Sequence, residues 1–393
     1  MRVYMDNAAT TPLKKEVLEE MMPYFCEKFG NASSIHSYGR EAHQAIDLAR
    51  TRIAQAINAK EQEIYFTSGG TESDNTAIMG VAAAHGKKGK HIITSAIEHH
   101  AVLHTCRNLE KKGYDVTYIM PDEKGILSSS DVEKAIRKDT ILITTMFANN
   151  EIGTIQPIAE IGEIAHKHGI IFHTDAVQAI GSIPIDVEAM NIDMLSMSAH
   201  KIGGPKGVGA LYVRKGIRFE QLMHGGAQER DKRPGTSNVP GIVGLGKAIE
   251  LIFINMDERC ARVAVLRDKL IDGILSEIPY TYLNGDRDQR LCGNVNVSIE
   301  FVEGEALLLH LDMKGISASS GSACTSGSLD PSHVLLAIGL SHEIAHGSLR
   351  LSLNSLNTQE EVDYVINELK GIVELLRNMS PLFAQHEGGR AYV

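Results

Sequence analysis

Short apolar runs alternate with longer amphipathic stretches between about residues 40 and 260. The runs are rich in Ile, Val and Phe, as expected for strands buried on both faces, and the stretches between them repeat apolar residues at helical spacing. A helix is predicted from near Thr71, and the predicted strands are 63–66, 91–94, 140–147, 170–175, 193–198 and 209–213. This alternation predicts an α/β fold, a mainly parallel sheet covered by helices.

The pattern changes near residue 247. Residues 247–277 carry a charged amphipathic pattern that predicts one helix long enough to leave the first unit. Two strand patterns, at 294–301 and 348–354, and a helix pattern at 358–379 follow it, which suits a smaller α+β domain. We place the boundary within the long helix. The predicted large domain is 14–258, and the predicted small domain combines 1–13 with 259–393.

Charge and cysteine content narrow the class of protein. The 393 residues include 39 Lys and Arg against 49 Asp and Glu, a net charge of −10 that argues against nucleic acid as a partner. We find no uncharged apolar run of the roughly 18 residues that a membrane helix needs. The five cysteines form no CxxC pair and indicate free thiols in a reducing compartment. We therefore expect a soluble, cytoplasmic protein.

A glycine-rich turn at 68–75, SGGTESDN, follows one predicted strand and opens a helix. Backbone N–H groups at such a helix start bind anions, so the turn is either a phosphate cup or a plain connection. The string GIVGLGK at 241–247 resembles a nucleotide-binding loop. Ala248 follows it where a magnesium-binding Ser or Thr is required, which argues against that function.

Lys201 and Asp175 each follow a predicted strand, at the edge where α/β sheets bind ligands. Lys201 is either a solvated surface charge or a Schiff-base lysine, and the second is favoured because Ser198 and His200 offer donors for a phosphate. Asp175 is either a turn residue or a buried carboxylate that keeps a pyridine nitrogen protonated. Two such residues at separate strand ends favour the cofactor interpretation.

The segment EHHAVLH contains His99, His100 and His104. The spacing of His100 and His104 could place two imidazoles on one helix face for zinc, but HExxH is absent and no third ligand has an obvious spacing. The alternative is that a neutral histidine lies over an aromatic ring and moves a proton. An ordinary histidine pKa near 6.5 suits both tasks at neutral pH.

Cys324 and Arg350 are the candidates for contact with substrate. Cys324 lies in SASSGSACTSGSLD, where small polar neighbours favour a reactive thiol over a buried, inert one, although some activation is needed. Arg350 in SLRLSLN is either a routine ion pair or a clamp for a substrate carboxylate.

Eight motifs, in this order along the chain, carry a resemblance to a known family: YMDNAATTP, TSGGTESDN, EHHAV, NNEIG, HTDAVQ, SAHKIGGPKG, RPGTSN and SSGSACTS. They are similar to the cysteine desulfurases of the NifS/IscS-like class, related to the class V aminotransferases, over nearly the whole chain. The resemblance implies fold-type I, with a mainly parallel seven-stranded sheet in the large domain. It also implies pyridoxal 5′-phosphate (PLP) as cofactor.

The resemblance assigns chemistry to five of the candidates. Lys201 would carry PLP through a covalent link and act as a base, Asp175 would pair with the pyridine nitrogen, and His99 would stack on the ring. Arg350 would bind the carboxylate of L-cysteine, and Cys324, on a loop of the longer, mobile kind, would accept sulfur as a persulfide. No resident metal is implied, and Cys324 would at most be a transient iron–sulfur ligand shared with a scaffold.

Further contacts with the cofactor are implied at Gly70, Thr71, Asn150, Gln178, Ser198, His200 and Thr236. Of these, Asn150 would also contact substrate, and Thr236 would reach the phosphate in the neighbouring subunit of a homodimer. Gly70 stands where the family commonly has alanine, and we expect the smaller residue to loosen the phosphate cup.

The implied reaction converts L-cysteine to L-alanine and leaves sulfur on Cys324 for an iron–sulfur scaffold or another acceptor protein. Two alternatives stay open at this point. Another PLP enzyme of the same fold, an aminotransferase or a selenocysteine lyase, would use Lys201 and Asp175 in the same roles. A sulfur or metal carrier without enzymatic activity would use the thiols or the histidines and need no Schiff base.

Overall fold

The computed structural model describes residues 1–320 and 331–390. The strands are β1 (Val3–Tyr4), β2 (Ile64–Thr67), β3 (His91–Ser95), β4 (Asp115–Ile119), β5 (Thr140–Met146), β6 (Ile171–Asp175), β7 (Met194–Ser198), β8 (Gly209–Val213), β9 (Thr281–Leu283), β10 (Asn294–Ile299), β11 (Ile316–Ser317) and β12 (Ser348–Ser352).

The helices are α1 (Lys15–Met21), α2 (Pro23–Cys26), α3 (Ser37–Ala56), α4 (Gly70–His85), α5 (His100–Glu110), α6 (Ser129–Lys134), α7 (Ile158–Lys167), α8 (Gln228–Asp231), α9 (Val239–Phe253), α10 (Met256–Glu277), α11 (Gly304–Met313), α12 (His333–Ala337), α13 (His342–His346), α14 (Gln359–Asn378) and α15 (Pro381–Arg390). Short 3-10 turns at Glu61–Glu63 and Ala199–Lys201 complete the described elements.

The largest sheet has seven strands in the order β2-β8-β7-β6-β5-β3-β4. Only β8 runs antiparallel to its neighbours in this sheet, which confirms the predicted mainly parallel seven-stranded sheet. Strands β2, β3, β5, β6 and β7 therefore point the same way, and their carboxyl ends lie along one edge. The glycine-rich turn at 68–75 and the candidates Asp175 and Lys201 all lie at these ends.

The sheet is covered on both faces, which explains why its central strands are apolar throughout. Helices α4 and α5 pack on one face with the cluster that contains Ile78, Val102 and Leu142. On the other face, α3, α7 and α9 contribute to a larger cluster that contains Ile53 and Phe172. A sheet buried on both sides loses the period of two that marks half-exposed strands.

A second unit is built around the antiparallel sheet β9-β10-β12, with α10 and α14 against it. The N-terminal strand β1 pairs in parallel with β11, and Val3 and Met5 belong to the apolar cluster of this unit. The predicted strands at 294–301 and 348–354 and the helix at 358–379 are confirmed, within one or two residues at most ends. The domain boundary between 258 and 259 stays a prediction.

Two predictions about elements are wrong. The single helix over 247–277 is two helices, α9 and α10, bent by 75° at a break where Asn255 adopts a left-handed conformation with φ 51°. Asparagine tolerates that conformation better than most residues, and the amphipathic pattern does not register it. The edge strand β4 was not predicted, because its partial burial gives neither a continuous apolar run nor a strict alternation.

Among residues 1–320 and 331–390, no single helix is long and apolar enough to cross a membrane. The bent pair α9 and α10 meets the criterion together, by length and composition only.

Candidate active site

Lys201 ends the 3-10 turn that follows β7, at the carboxyl edge of the large sheet. Its Nζ donates hydrogen bonds to the backbone oxygens of Ala8, at 2.5 Å, and Ala9, at 2.9 Å. The N-terminal segment is held there because Thr11 donates to the backbone oxygen of His200. No local pattern in the sequence indicated that residues 8 and 9 would position the lysine.

Asp175 ends β6, one strand away from the lysine, and is 7% exposed. Its Oδ1 accepts a hydrogen bond from the backbone N–H of Val177 at 2.9 Å. Burial raises the pKa of Asp175, while the hydrogen bond and the positive charge of Lys201 oppose that rise. A cation facing this carboxyl would lower its pKa further and be stabilised in return.

His99 caps the N-terminus of α5, where its Nδ1 accepts from the backbone N–H of Ala101 at 3.1 Å. Burial, with the nearby charges of Lys201 and His104, lowers the pKa of His99 to about 4. The expectation of a pKa near 6.5 is therefore wrong. A neutral ring at pH 7 suits stacking, and its Nε2 is left as the atom that can exchange a proton.

The glycine-rich turn forms a concave backbone surface between β2 and α4. Gly69 adopts φ 154°, which residues with a Cβ rarely adopt. A Cβ added at Gly70 would lie 2.7 Å from Cγ2 of Val177 and 3.9 Å from Cβ of Ser198. Val177 thus occupies the space that a methyl group at position 70 would need, and the expectation that glycine loosens the cup stays a prediction. Thr71 follows in the exposed first turn of α4.

His200 and Ser198 flank the lysine as predicted. Ser198 is 5% exposed at the end of β7, and a Cβ at Gly69 would lie 3.8 Å from its Oγ, so it borders the cup. His200 Nδ1 lies 3.1 Å from Oγ1 of Thr10. Burial and the charge of Lys201 lower the pKa of His200 to about 4, so this imidazole is neutral at pH 7.

Gln178 and Asn150 reach the same region from two different loops. The Gln178 side-chain amide donates to the backbone oxygen of Ala8 at 3.0 Å, the oxygen that also accepts from Lys201. The backbone oxygen of Asn150 accepts from Nη1 of Arg350 at 3.2 Å. These contacts join the sheet edge to the second unit.

Arg350 lies in the middle of β12 and is 2% exposed. Its Nη2 pairs with Oδ1 of Asp6 at 3.1 Å, which fixes the plane of the guanidinium. Its Nε is buried and has no hydrogen-bond partner among the residues that the structure describes. A buried donor left unpaired costs free energy, so Nε is available to a ligand such as a carboxylate.

Two buried carboxyls beside Asp175 were missed. Asp74 of α4 is 1% exposed, with Oδ1 3.7 Å from Nε2 of His173. Glu98 is also 1% exposed, and its Oε1 accepts from Oγ of Ser95 at 2.5 Å and from the backbone of Met146 at 2.9 Å. Burial raises the pKa of Glu98 to about 8. An acidic residue one position before a candidate histidine was the available signal.

Thr236 is not brought to the site within this chain, because it is exposed on the loop that precedes α9. Cys324 lies outside the described residues. The described chain before residue 321 ends beside Arg350, because Ser319 and Arg350 exchange two backbone hydrogen bonds, at 2.7 and 3.1 Å. On the other side, Ser332 donates to Oε2 of Glu151 at 2.5 Å.

The histidines form a cluster of rings rather than a metal centre. The ring of His100 lies 5.0 Å from that of His104 and 4.9 Å from that of His333, between centroids. Within residues 1–320 and 331–390, no three His, Cys, Asp or Glu side chains are arranged to hold a metal ion. The zinc alternative therefore gains no support from the described geometry.

Comparison with known proteins places this chain among related sequences and structures. The family model described as "Aminotransferase class-V" matches residues 3–365. A relative named "Cysteine desulfurase IscS" from Methanosarcina thermophila is 62% identical over 380 residues, which cover 97% of this chain and 94% of that protein.

Solved structures agree with these matches. A structure titled "NIFS-LIKE PROTEIN" is similar with a TM-score of 0.90 and 40% identity, over 95% of this chain and all of the other. A second, titled "SspA in complex with cysteine", has a TM-score of 0.81 and 43% identity over 90% of this chain and 99% of that one.

Proposed function

The chain belongs to the class-V aminotransferase family, and from this premise we propose that it is a PLP-dependent cysteine desulfurase of fold-type I. It converts L-cysteine to L-alanine and transfers the sulfur to Cys324 as a persulfide. The relative named as a cysteine desulfurase supports this reaction, and the similar structure in complex with cysteine supports the substrate.

The observation that carries the proposal is the convergence of Lys201, Asp175 and His99 at one edge of the sheet, opposite Arg350. The ammonium and the buried carboxyl follow adjacent parallel strands, and their charges influence each other. Arg350 faces them through the N-terminal segment, whose Asp6 binds the guanidinium and whose Ala8 binds the ammonium. One ligand with a pyridinium ring, a phosphate and a carboxylate would satisfy all of these groups.

The residues fit PLP. A cradle without Cβ atoms at Gly69 and Gly70, at the start of α4, suits a phosphate, with Thr71, Ser198 and His200 at its border. Asp175 is 7% exposed and burial raises its pKa, so a pyridinium nitrogen that faces this carboxyl would be stabilised by it. Bound PLP supplies an electron sink that stabilises negative charge on the substrate Cα.

Lys201 and His99 each transfer a proton in the proposed reaction. With PLP and substrate bound, the Lys201 Nζ would remove the proton from Cα, and the carbonyls of Ala8 and Ala9 hold this nitrogen at the sheet edge. His99 would lie against the cofactor as a neutral ring and exchange a proton at Nε2. Gln178 and Asn150 would hold the cofactor at its phenolic oxygen, and Arg350 would bind the substrate carboxylate through Nε.

Cys324 completes the reaction by sulfur transfer. Cys324 follows Ser319 by five positions, so a fully extended chain spans at most about 18 Å from a residue that is paired with Arg350. The thiolate of Cys324 attacks the substrate sulfur, and an S–S bond forms as the C–S bond breaks. The persulfide stays on the protein, and the organic product leaves as alanine after protonation.

We further propose a homodimer and a protein acceptor for the sulfur. A homodimer is supported by the exposed apolar side chains of Met22, Phe25 and Phe29 and by the exposed position of Thr236, which can reach a partner's phosphate. The acceptor is an iron–sulfur scaffold or another sulfur-accepting protein. The described cysteines are all free, which fits a reducing compartment such as the cytoplasm.

The test compares the wild-type protein with Cys324→Ala after loading with PLP. We expect the variant to bind L-cysteine and to exchange its Cα proton with deuterium from solvent, but to form neither alanine nor a persulfide. Cys26→Ser is the matched control and should retain both steps. Alanine at the wild-type rate from Cys324→Ala, a persulfide mapped to another cysteine, or a keto acid product would contradict the proposal.

A further inference from the structure

Two cysteines outside the proposed catalytic groups face one cavity. Cys260 lies near the start of α10, and Cys292 lies in the turn before β10. Both line a cavity of about 370 Å³, whose wall also includes Lys201 and Gln178. The two thiols are therefore neighbours of the cofactor lysine without being part of the catalytic set.

Independent contacts show that the two segments touch. A Cβ added at Gly293 would lie 3.4 Å from Cγ1 of Val263, one helical turn after Cys260. Nη1 of Arg267 donates to the backbone oxygen of Leu291 at 3.3 Å. The fold thus brings to one cavity wall two cysteines that are 32 positions apart.

The surroundings distinguish the two sulfurs. Cys260 Sγ lies 3.6 Å from the backbone oxygen of Ser182 and 3.9 Å from Nη2 of Arg259. The neighbouring Cys292 thiol, together with the charge of Arg259, lowers the pKa of Cys260, and the neighbouring Cys260 raises the pKa of Cys292. An attacking thiolate beside a protonated second thiol is the arrangement used in disulfide exchange.

The cavity is positively charged. Lys14, Lys15 and Arg259 line it in addition to Lys201, against the acidic side chain of Glu16. Burial and the charge of Arg259 lower the pKa of Lys14, so cations are crowded beside Cys260. A small molecule that carries carboxylates is favoured there over a cationic one.

We propose that Cys260 and Cys292 form a thiol–disulfide exchange site for low-molecular-weight disulfides that carry carboxylates. The Cys260 thiolate attacks one sulfur of the small disulfide and releases one small thiolate. Cys292 loses its proton and attacks Sγ of Cys260, which releases the second small thiol and closes a protein disulfide. Two protein thiols are oxidised and one small disulfide is reduced to two thiols, so atoms and electrons balance.

The first experiment maps disulfides by mass spectrometry in reduced Cys324→Ala holoenzyme, where the proposed sulfur acceptor cannot react. After treatment with oxidised glutathione, we expect a Cys260–Cys292 disulfide that forms about 3–10-fold faster than the mixed disulfide on exposed Cys26, since a larger thiolate fraction is partly offset by lower nucleophilicity. With Cys292→Ser added, a mixed disulfide should accumulate on Cys260. With Cys260→Ser added, Cys292 should stay reduced.

The second experiment tests the ligand class with probes of opposite charge. Oxidised glutathione should react at Cys260 at least about threefold faster than cationic cystamine at low salt, and the difference should shrink at 1 M salt because charge is screened. Lys14→Gln should lower the ratio, and Lys88→Gln, distant from the cavity, should leave it unchanged.

Three results would overturn the proposal: a Cys260 rate equal to that of Cys26, a stable mixed disulfide on Cys260 while Cys292 is present, or equal rates with the two probes. Cys260→Ala and Cys292→Ala serve as second variants if a serine disturbs folding, which the circular dichroism spectrum reports. Because the readout is a disulfide rather than alanine, failure here leaves the proposed desulfurase activity untouched.

Discussion

The two sides of the candidate site are built in different ways. On the cofactor side, Asp175 and Lys201 follow adjacent strands of one parallel sheet, so each is positioned by the strand it ends. On the substrate side, Arg350 is positioned by Asp6 and by the backbone of Asn150, which lie 344 and 200 residues away in sequence. The first side is a property of one sheet, whereas the second exists only when separate segments meet.

This difference predicts how the sides respond to substitution. A change on the cofactor side should affect chemistry, because the proposed function puts Lys201 and Asp175 at the reacting centre. A change on the substrate side should affect mainly binding, because the proposed contact of Arg350 with the substrate carboxylate is made before and during the reaction.

The largest effect is expected from Lys201→Ala. The variant loses both the covalent attachment of PLP and the base, and general bases alone contribute about 10²–10⁴-fold, so turnover should fall by about 10⁴-fold or more. Alanine formation and peptide mapping after borohydride reduction measure both losses. A borohydride label on another lysine would show that the cofactor side is built differently.

Asp175→Asn should reduce kcat by about 10²–10³-fold, the range found when one electrostatic group of an active site is removed. The amide keeps the hydrogen bond from Val177 but cannot balance a positive ring nitrogen. Steady-state kinetics with saturating PLP separates kcat from KM. An unchanged kcat would show that the buried carboxyl is only a turn residue.

Arg350→Gln should change KM more than kcat. Loss of a charge-assisted hydrogen bond, worth about 1.5–3 kcal/mol, should raise KM for L-cysteine by about 10–100-fold with a smaller change in kcat. Asp6→Asn is the partner variant and should raise KM less, since it releases the guanidinium without removing it. If Arg350→Gln lowers kcat alone, the division between the two sides is wrong.

Glu98→Gln should change how stability depends on pH. Because folding raises the pKa of Glu98 from 4.5 to about 8, the folded protein holds a proton that the unfolded chain releases, and this stabilisation is lost as pH rises from about 4.5 through 8. The glutamine side chain at position 98 does not titrate, so the Glu98→Gln variant does not lose this stability as the pH rises. The unfolding free energy of the variant, relative to that of the wild-type protein, should rise by about 2–3 kcal/mol between pH 6 and pH 9, since each pH unit below a folded pKa of about 8 changes stability by about 1.4 kcal/mol. Urea unfolding at both pH values measures the difference, and equal differences would place the Glu98 pKa outside this interval.

Thr236→Ala should have the smallest effect. One lost hydrogen bond to a partner's phosphate is worth about 0.5–1.5 kcal/mol, so PLP should dissociate about 2–12-fold more readily. Equilibrium dialysis measures this, and sedimentation tests the dimer on which the contact depends. A fully active monomer would remove the reason for any effect at Thr236.

The sequence predicted the sheet side of the site better than the substrate side, for a physical reason. Strand ends, glycine turns and polar residues that follow apolar runs are local patterns, which is why Lys201, Asp175 and the cup at Gly70 could be read from short segments. The contact between Asp6 and Arg350 has no local pattern, and neither do the carbonyls that hold Lys201. They arise only when β1 pairs with β11 and the N-terminal segment crosses the sheet edge.

Packing and backbone conformation explain the other differences between the expectations from sequence and the structure. The pKa of His99 could not be obtained from its neighbours in sequence, because packing and the charge of Lys201 set it. The effect of Gly70 depends on Val177, which is 107 residues away. The break at Asn255 depends on one backbone conformation within an otherwise helical pattern.

The pairing of Asp6 with Arg350 also bears on how the protein is synthesised. Strand β1 finds its partner more than 300 residues later, and Ser352 hydrogen-bonds to Met5 and Asn7 only once β12 exists. Contacts of such high sequence separation form slowly, and the chain leaves the ribosome from its N-terminus. The parallel sheet can be complete while the N-terminal segment is still unpaired, because β12 has not yet been synthesised. A nascent chain should therefore acquire a cofactor pocket before it can recognise an amino acid, so unfinished copies have no competent substrate site.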